Sequence, residues 1–247
     1  PFMGFGDPLL KGHPGATRGI SLPAVYKNNG RNEISVADVN AVRNLSPLPE
    51  TESELRALSA AVGGKSSDIY LREAATERTI KGLDLFQSRV IAFATHALVA
   101  GDLKNSEPAL VMTPPKRGTA LDDGLLTSSE VAQLKLNADL VILSACNTAA
   151  GDGTEGAEGL SGLAKAFFYA GSRSLLVSHW PVQTDAAVKL TTKMLKEVAN
   201  DNKIGRSEAL RRSMLALMED KSNPEFAHPA YWAPFVVVGE GGTYAVN

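Results

Sequence analysis

Leu140-Val141-Ile142-Leu143-Ser144-Ala145-Cys146-Asn147-Thr148-Ala149-Ala150-Gly151-Asp152-Gly153 is the stretch that decides the fold of this 247-residue chain. Its first four residues form a continuous apolar run, the pattern of a strand covered on both faces. The run breaks into small and polar residues and then a glycine loop, and at the break stands Cys146, the one cysteine in the sequence. In open α/β sheets ligands sit outside the carboxyl ends of the strands, so a thiol released there is placed to act as a nucleophile. An earlier stretch has the same layout: Arg89-Val90-Ile91-Ala92-Phe93-Ala94-Thr95 runs into His96. One apolar strand delivering an imidazole and another delivering a thiol predict a Cys/His dyad assembled across a sheet.

Strands and helices alternate on either side of this pair. Pro1 to Pro8 reads as a short strand ending in a turn, and residues 11–50, rich in Gly, Asn, Pro and Ser, as a long surface loop with one helical turn. A helix follows from Thr51, with Leu55, Leu58, Ala61 and Val62 at helical spacing, stopped by Gly63-Gly64. Asp68–Leu71 is a short strand, Thr76 opens a second helix, and Ala109–Met112 is another strand, closed by Pro114-Pro115. Thr127-Ser128-Ser129-Glu130 has the form of a capping box ahead of a helix through Leu134. Beyond the Cys146 loop come a helix over 159–170, a strand over 173–178 running into His179-Trp180-Pro181, helices over 185–199 and 207–218, and a last strand over 234–239. The alternation predicts a single α/β domain over 1–247, a three-layer αβα sandwich around a mainly parallel sheet.

Composition narrows the function. With 44% hydrophobic residues the chain can bury one substantial core. Its net charge of −2, with both signs interspersed, argues against a basic nucleic-acid surface. A single cysteine excludes an intrachain disulfide framework and points to a reducing, cytoplasmic setting. No apolar run approaches the roughly 18–20 residues of a membrane span. The start Pro1-Phe2-Met3-Gly4 is not a translation start, so the chain reads as a fragment or processed form of a larger protein. Cys and His show no metal-ligand spacing, and neither a phosphate loop nor a Gly-x-Ser-x-Gly elbow is present, so no cofactor or metal is implied.

Cysteine catalysis needs a thiolate, and a free thiol near pKa 8.5 supplies only a few per cent of it at neutral pH. A neighbouring imidazole shifts that balance and later protonates the leaving amine, while backbone N–H groups must receive the oxyanion. Spacing alone leaves two readings open for each residue. Cys146 fits a nucleophile or an inert buried cysteine, and His96 a general base or a satisfied strand-end histidine. His179 beside Trp180 is the rival base, His13 lies in the polar loop, and His228 reads as structural packing next to Pro229.

Six segments in order tip this balance: Phe5-Gly6-Asp7-Pro8, Ala94-Thr95-His96-Ala97, Leu143-Ser144-Ala145-Cys146-Asn147-Thr148, the 162–171 stretch Gly-Leu-Ala-Lys-Ala-Phe-Phe-Tyr-Ala-Gly, Ser178-His179-Trp180-Pro181-Val182, and His228-Pro229-Ala230-Tyr231-Trp232-Ala233-Pro234-Phe235. Together they span the chain, which resembles the CHAT domain, a caspase- and separase-like cysteine peptidase family usually found downstream of tetratricopeptide repeats. The resemblance implies a caspase-like fold and an endopeptidase acting through an acyl-enzyme. Cys146 would be the nucleophile and His96 the general acid and base, with the N–H groups of Ala97 and Cys146 as the oxyanion hole. Caspase relatives carry Gly after the histidine, where this chain has Ala97.

The same resemblance implies where specificity would sit. Two residues before the nucleophile, caspases place a Gln and metacaspases an Asp; here the position is Ser144. Separase-like members place an acidic residue just after a Leu-Trp segment, and the nearest equivalent is Asp185, five residues after Trp180. That makes Asp185 the expected counter-charge for a basic P1 residue; Asp139, just before the Cys146 strand, is a second acidic candidate or a solvated strand start. The expected partners are a protein or peptide substrate and a regulatory protein or upstream repeat domain that gates activity. The other class of function open to the chain is a non-catalytic caspase-like scaffold.

Overall fold

The computed structural model describes residues 2–13, 36–98, 107–144, 162–180, 182–201 and 203–242. Among the described residues, nine strands fall into two sheets. The main one contains β1 (Phe2–Pro8), β2 (Ile69–Arg72), β3 (Val90–Ala94), β7 (Leu140–Leu143), β8 (Ser174–Ser178) and β9 (Phe235–Gly239) in the order β2-β1-β3-β7-β8-β9. The first five run parallel and β9 is antiparallel to β8. A small antiparallel sheet, β4 (Ala97–Leu98), β5 (Ala109–Val111) and β6 (Leu125–Thr127), follows directly from the end of β3. The expected three-layer α/β architecture with a mainly parallel sheet is thus the one observed.

Side-chain alternation along the central strands builds both outer layers. Ile91, Phe93, Val141 and Leu143 face one cluster, shared with Ile80 of α3 (Glu77–Gly82) and Phe167 of α5 (Gly162–Ala170). Ala92, Ala94, Leu140 and Ile142 face the other, shared with α2 (Glu50–Ala61), α6 (Thr184–Asn200) and α7 (Arg206–Met218). α2 packs so closely on β1 that a Cβ at Gly6 would lie 2.8 Å from a Leu55 methyl and 2.7 Å from the Ala94 carbonyl. α5 ends at Gly171, whose φ of +109° lets its N–H reach back to the Phe168 carbonyl.

The Ala109–Met112 strand lies outside the parallel sheet, in the small one. A third apolar cluster, including Leu10, Val42, Leu45, Leu98 and Val111, binds that sheet to α1 (Val39–Arg43). The 36–50 part of the expected surface loop is therefore core-forming, with Val42, Leu45 and Leu48 buried. The capping box at Thr127 and Glu130 forms as read, on a helix, α4 (Ser128–Val131), that stops short of Leu134.

At the amino ends of the parallel strands, Asp139 accepts from Arg89 Nε at 2.5 Å and from Arg173 Nη1 at 3.1 Å. This ties β3, β7 and β8 together where they enter the sheet. Asp139 is buried rather than solvated, and it sits at the end of the strands opposite His96. It does not serve as a second acidic residue for a substrate beside that histidine.

Candidate active site

Parallel strands put all their carboxyl ends on one edge, and His96 stands there, just past β3. Phe93 on β3 pairs with Leu143 on β7, and the Ser144 N–H donates to the Phe93 carbonyl at 2.9 Å. His96 stands three residues after Phe93, and Cys146 three after Leu143. The strands that precede the two residues expected to form the dyad are therefore adjacent, parallel and in matched register. Cys146 itself lies outside the described residues.

His96 is fully buried, and its Nε2 lies 2.8 Å from the Ser46 carbonyl oxygen. A carbonyl can only accept, so Nε2 carries the hydrogen and donates it. In the neutral ring Nδ1 is then the nitrogen that carries no hydrogen, the one able to take a proton. The backbone beneath the ring is held as well. The Val111 N–H donates to the His96 carbonyl at 2.9 Å, and the Thr95 hydroxyl donates to the Val111 carbonyl at 2.6 Å. Ring and main chain are thus both fixed, the preorganisation that proton transfer needs.

Ala97 pairs with Leu110 across β4 and β5. Bonding residues alternate along an antiparallel pair, and here the bond is made by the His96 carbonyl. At the next residue the main-chain groups face the other way, so the Ala97 N–H points to the open side of β4. Ser144 is half-buried at the end of β7. Asp185 is exposed in the first turn of α6, where its charge also meets the helix dipole favourably.

The other histidines separate cleanly. His179, just past β8 on the same edge, is exposed, and its N–H donates to the Pro234 carbonyl. His228 is exposed too, and its Nδ1 accepts from the Ala230 N–H, capping the 3-10 turn Pro229–Tyr231. That is the structural role its sequence neighbours predict. His13 is exposed. Trp180 is 41% exposed, with its indole N–H on the Ala230 carbonyl.

Sequence reasoning missed two features of this edge. Ser46 contributes only a main-chain oxygen, which no residue type signals. Asp7 and Arg72 close β1 and β2 with φ of +43° and +51°, sparsely populated values for residues with a Cβ. Arg72 Nε donates to Asp7 at 2.9 Å, and the Arg72 carbonyl accepts from the Thr113 hydroxyl at 2.5 Å. Burial pushes the Asp7 carboxyl above its ordinary range, against the pull of Arg72. Among the described residues, no group of three or more His, Cys, Asp and Glu could hold a metal ion, and no helix is long and apolar enough to cross a membrane.

The CHAT domain family profile matches residues 17–240. Tetratricopeptide repeat protein 28 of Mus musculus is 28% identical over 221 residues, covering 78% of this chain and 9% of that protein. Its Homo sapiens counterpart gives 28% identity over 78% of this chain and 8% of the relative. The chain thus spans less than a tenth of the length of these curated relatives. A crystal structure of the Arg-specific cysteine proteinase gingipain R superposes with a TM-score of 0.48 at 12% identity, covering 98% of this chain and 46% of that one. A complex of Porphyromonas gingivalis RgpB pro- and mature domains gives 0.43 at 12% identity, over 81% of this chain and 44% of that one.

Proposed function

This chain belongs to the CHAT domain family, and we propose that it is a cysteine endopeptidase built on His96 and Cys146. The observation that carries the reading is the fixed imidazole: a buried ring at the carboxyl edge of the sheet, donating through Nε2 to Ser46, one strand away from the cysteine's own. Nδ1 of His96 takes the Cys146 thiol proton, and the thiolate attacks the substrate carbonyl carbon. The resulting oxyanion is received by the N–H groups of Ala97 and Cys146. Collapse expels the amine, which leaves with the proton held by His96, and forms a thioester. Water, deprotonated by the same histidine, then hydrolyses the thioester and frees the thiol.

Ser144 lines the substrate cleft, and Asp185 supplies the counter-charge for a basic P1 side chain. The single domain works as part of a longer protein in which an upstream repeat domain or a regulatory partner gates turnover, a reading supported by the repeat proteins it resembles. One cysteine in 247 residues fits a reducing, cytoplasmic setting.

The test is the pH dependence of Cys146 alkylation by iodoacetamide, read by intact mass in wild type and His96→Ala. Only one thiol can react. An inflection well below the free-thiol value of about 8.5, moving up in His96→Ala and unmoved in His179→Ala, is the expected result. A profile indifferent to His96 would leave the scaffold reading in its place.

A further inference from the structure

We propose that Gly12 is a positioning residue for His96: its bare α-carbon lets residues 10–12 brace the segment that presents the Ser46 carbonyl to the imidazole. The inference rests on the reading of His96 as the general base. Three of the four carbonyls from Arg43 to Ser46 are held by donors from elsewhere in the chain. The Lys11 N–H donates to Arg43 O at 2.7 Å, the Gly12 N–H to Leu45 O at 2.9 Å, and His96 Nε2 to Ser46 O at 2.8 Å. The first two bonds form a short ladder, and the third is the catalytic contact one residue further on.

That ladder closes only over a glycine. A Cβ on Gly12 would lie 2.2 Å from the Asn44 carbonyl oxygen and 2.7 Å from both the carbonyl carbon and oxygen of Leu45. These are main-chain atoms, so no side-chain rotation relieves the clash. Nor is the 43–46 segment free to retreat. Leu45 and Leu10 are buried together in the third apolar cluster, and Arg43 Nη2 donates to the Pro115 carbonyl at 2.6 Å. The Ala37 N–H, just ahead of α1, is held by the Asp123 carboxylate at 2.7 Å. A methyl group at residue 12 must therefore push residues 10–12 off the ladder or shift the Ser46 carbonyl, and in both cases the ring loses its fixed acceptor geometry.

The experiment follows the His96 ring directly, by NMR of the chain carrying 15N-labelled histidine rings, alongside the Cys146 alkylation profile. Wild type is expected to show a downfield Hε2 proton on His96, protected from exchange by burial and by the Ser46 bond. Gly12→Ala is expected to lose that resonance and to alkylate about tenfold more slowly at neutral pH, because a thiol returned to its free value is only a few per cent thiolate there, with its inflection displaced towards that value. Gly82→Ala is the control, because a Cβ there meets nothing within 4 Å; it is expected to match wild type. Should Gly12→Ala fail to fold, Leu10→Ala loosens the same brace from its apolar end and must weaken the same resonance. The proposal is overturned if the folded Gly12→Ala, or Leu10→Ala in its place, keeps the wild-type Hε2 signal. Wild-type alkylation indifferent to His96→Ala would instead remove the peptidase reading, and the resonance would still decide the brace.

Discussion

Asp185 holds its carboxylate in water on the first turn of α6, and that exposure bounds what it can contribute to substrate selection. An exposed ion pair is worth about 0–1 kcal/mol. Asp185→Asn should therefore lower kcat/KM for peptides with Arg or Lys at P1 by roughly two- to fivefold, and leave a P1 norleucine peptide untouched. The loss should shrink in high salt, since exposed charges are screened. A panel of fluorogenic peptides reads this directly. Unchanged Arg and Lys preference, with only a small drop in melting temperature, would mean that the carboxylate serves the helix dipole alone. His96 and Cys146 stand out in the sequence because strand ends advertise what they carry. Ser46 and Gly12 do not, because their contributions are a carbonyl oxygen and the absence of a methyl group, neither of which leaves a side-chain pattern.

The corner where α3, α4 and the 113–124 loop meet collects carboxylates around one lysine. Lys81 bridges Glu77 and Glu130 at 2.8 and 2.7 Å, and Glu77 accepts the N–H groups of Asp123 and Gly124. Asp122 and Asp123 are both pushed up to about 6, first by burial; the Glu77 charge adds to this, while Arg78 and Lys81 oppose it at Asp122 and the Ala37 N–H opposes it at Asp123. An unfolded Asp titrates near 3.9, so between about pH 4 and 6 the folded chain binds more protons than the unfolded one. Stability then falls as pH rises through that window and grows by about 1 kcal/mol per carboxyl on going from pH 7 to 5. Glu208, held down at about 2 by Arg211 and Arg212, and Asp220, held there by Lys189, work the other way, and their stabilisation is lost as pH falls from about 4 towards 2. Urea unfolding should show a maximum near pH 4, and Asp122→Asn should remove about half of the gain between pH 7 and 5. A wild-type curve flat over that range would contradict the assignment. The capping box of this corner was legible as Thr127-x-x-Glu130. Of the small sheet only β5 was legible, as the Ala109–Met112 run; β4 and β6, with two and three residues, are too short to show a period of two.

Parallel packing divides the molecule into two ends with separate duties. The five parallel strands were legible as apolar runs, while the reversal of β9 was not, since an apolar run does not say from which end it enters a sheet. At the carboxyl end lie His96, the Asp7–Arg72 pair and the opening of β4. At the amino end, Asp139 binds Arg89 and Arg173. Asp139→Asn leaves those guanidiniums facing one another, and the buried Arg206 close by loses the charge that opposes its desolvation. Both partner guanidiniums are about 40% exposed, so water takes over part of the lost interaction and the cost should be about 1–3 kcal/mol rather than that of a fully buried pair. For a chain of this size that is a fall in melting temperature of about 3–10 °C. The carboxyl edge does not depend on Asp139, so the pH profile of Cys146 alkylation should superimpose on wild type below the melting transition. Calorimetry and alkylation on the same Asp139→Asn sample test the division. A thiol inflection that moves together with the melting temperature would mean that the two ends act as one unit, with the amino-end clamp setting the geometry of the dyad.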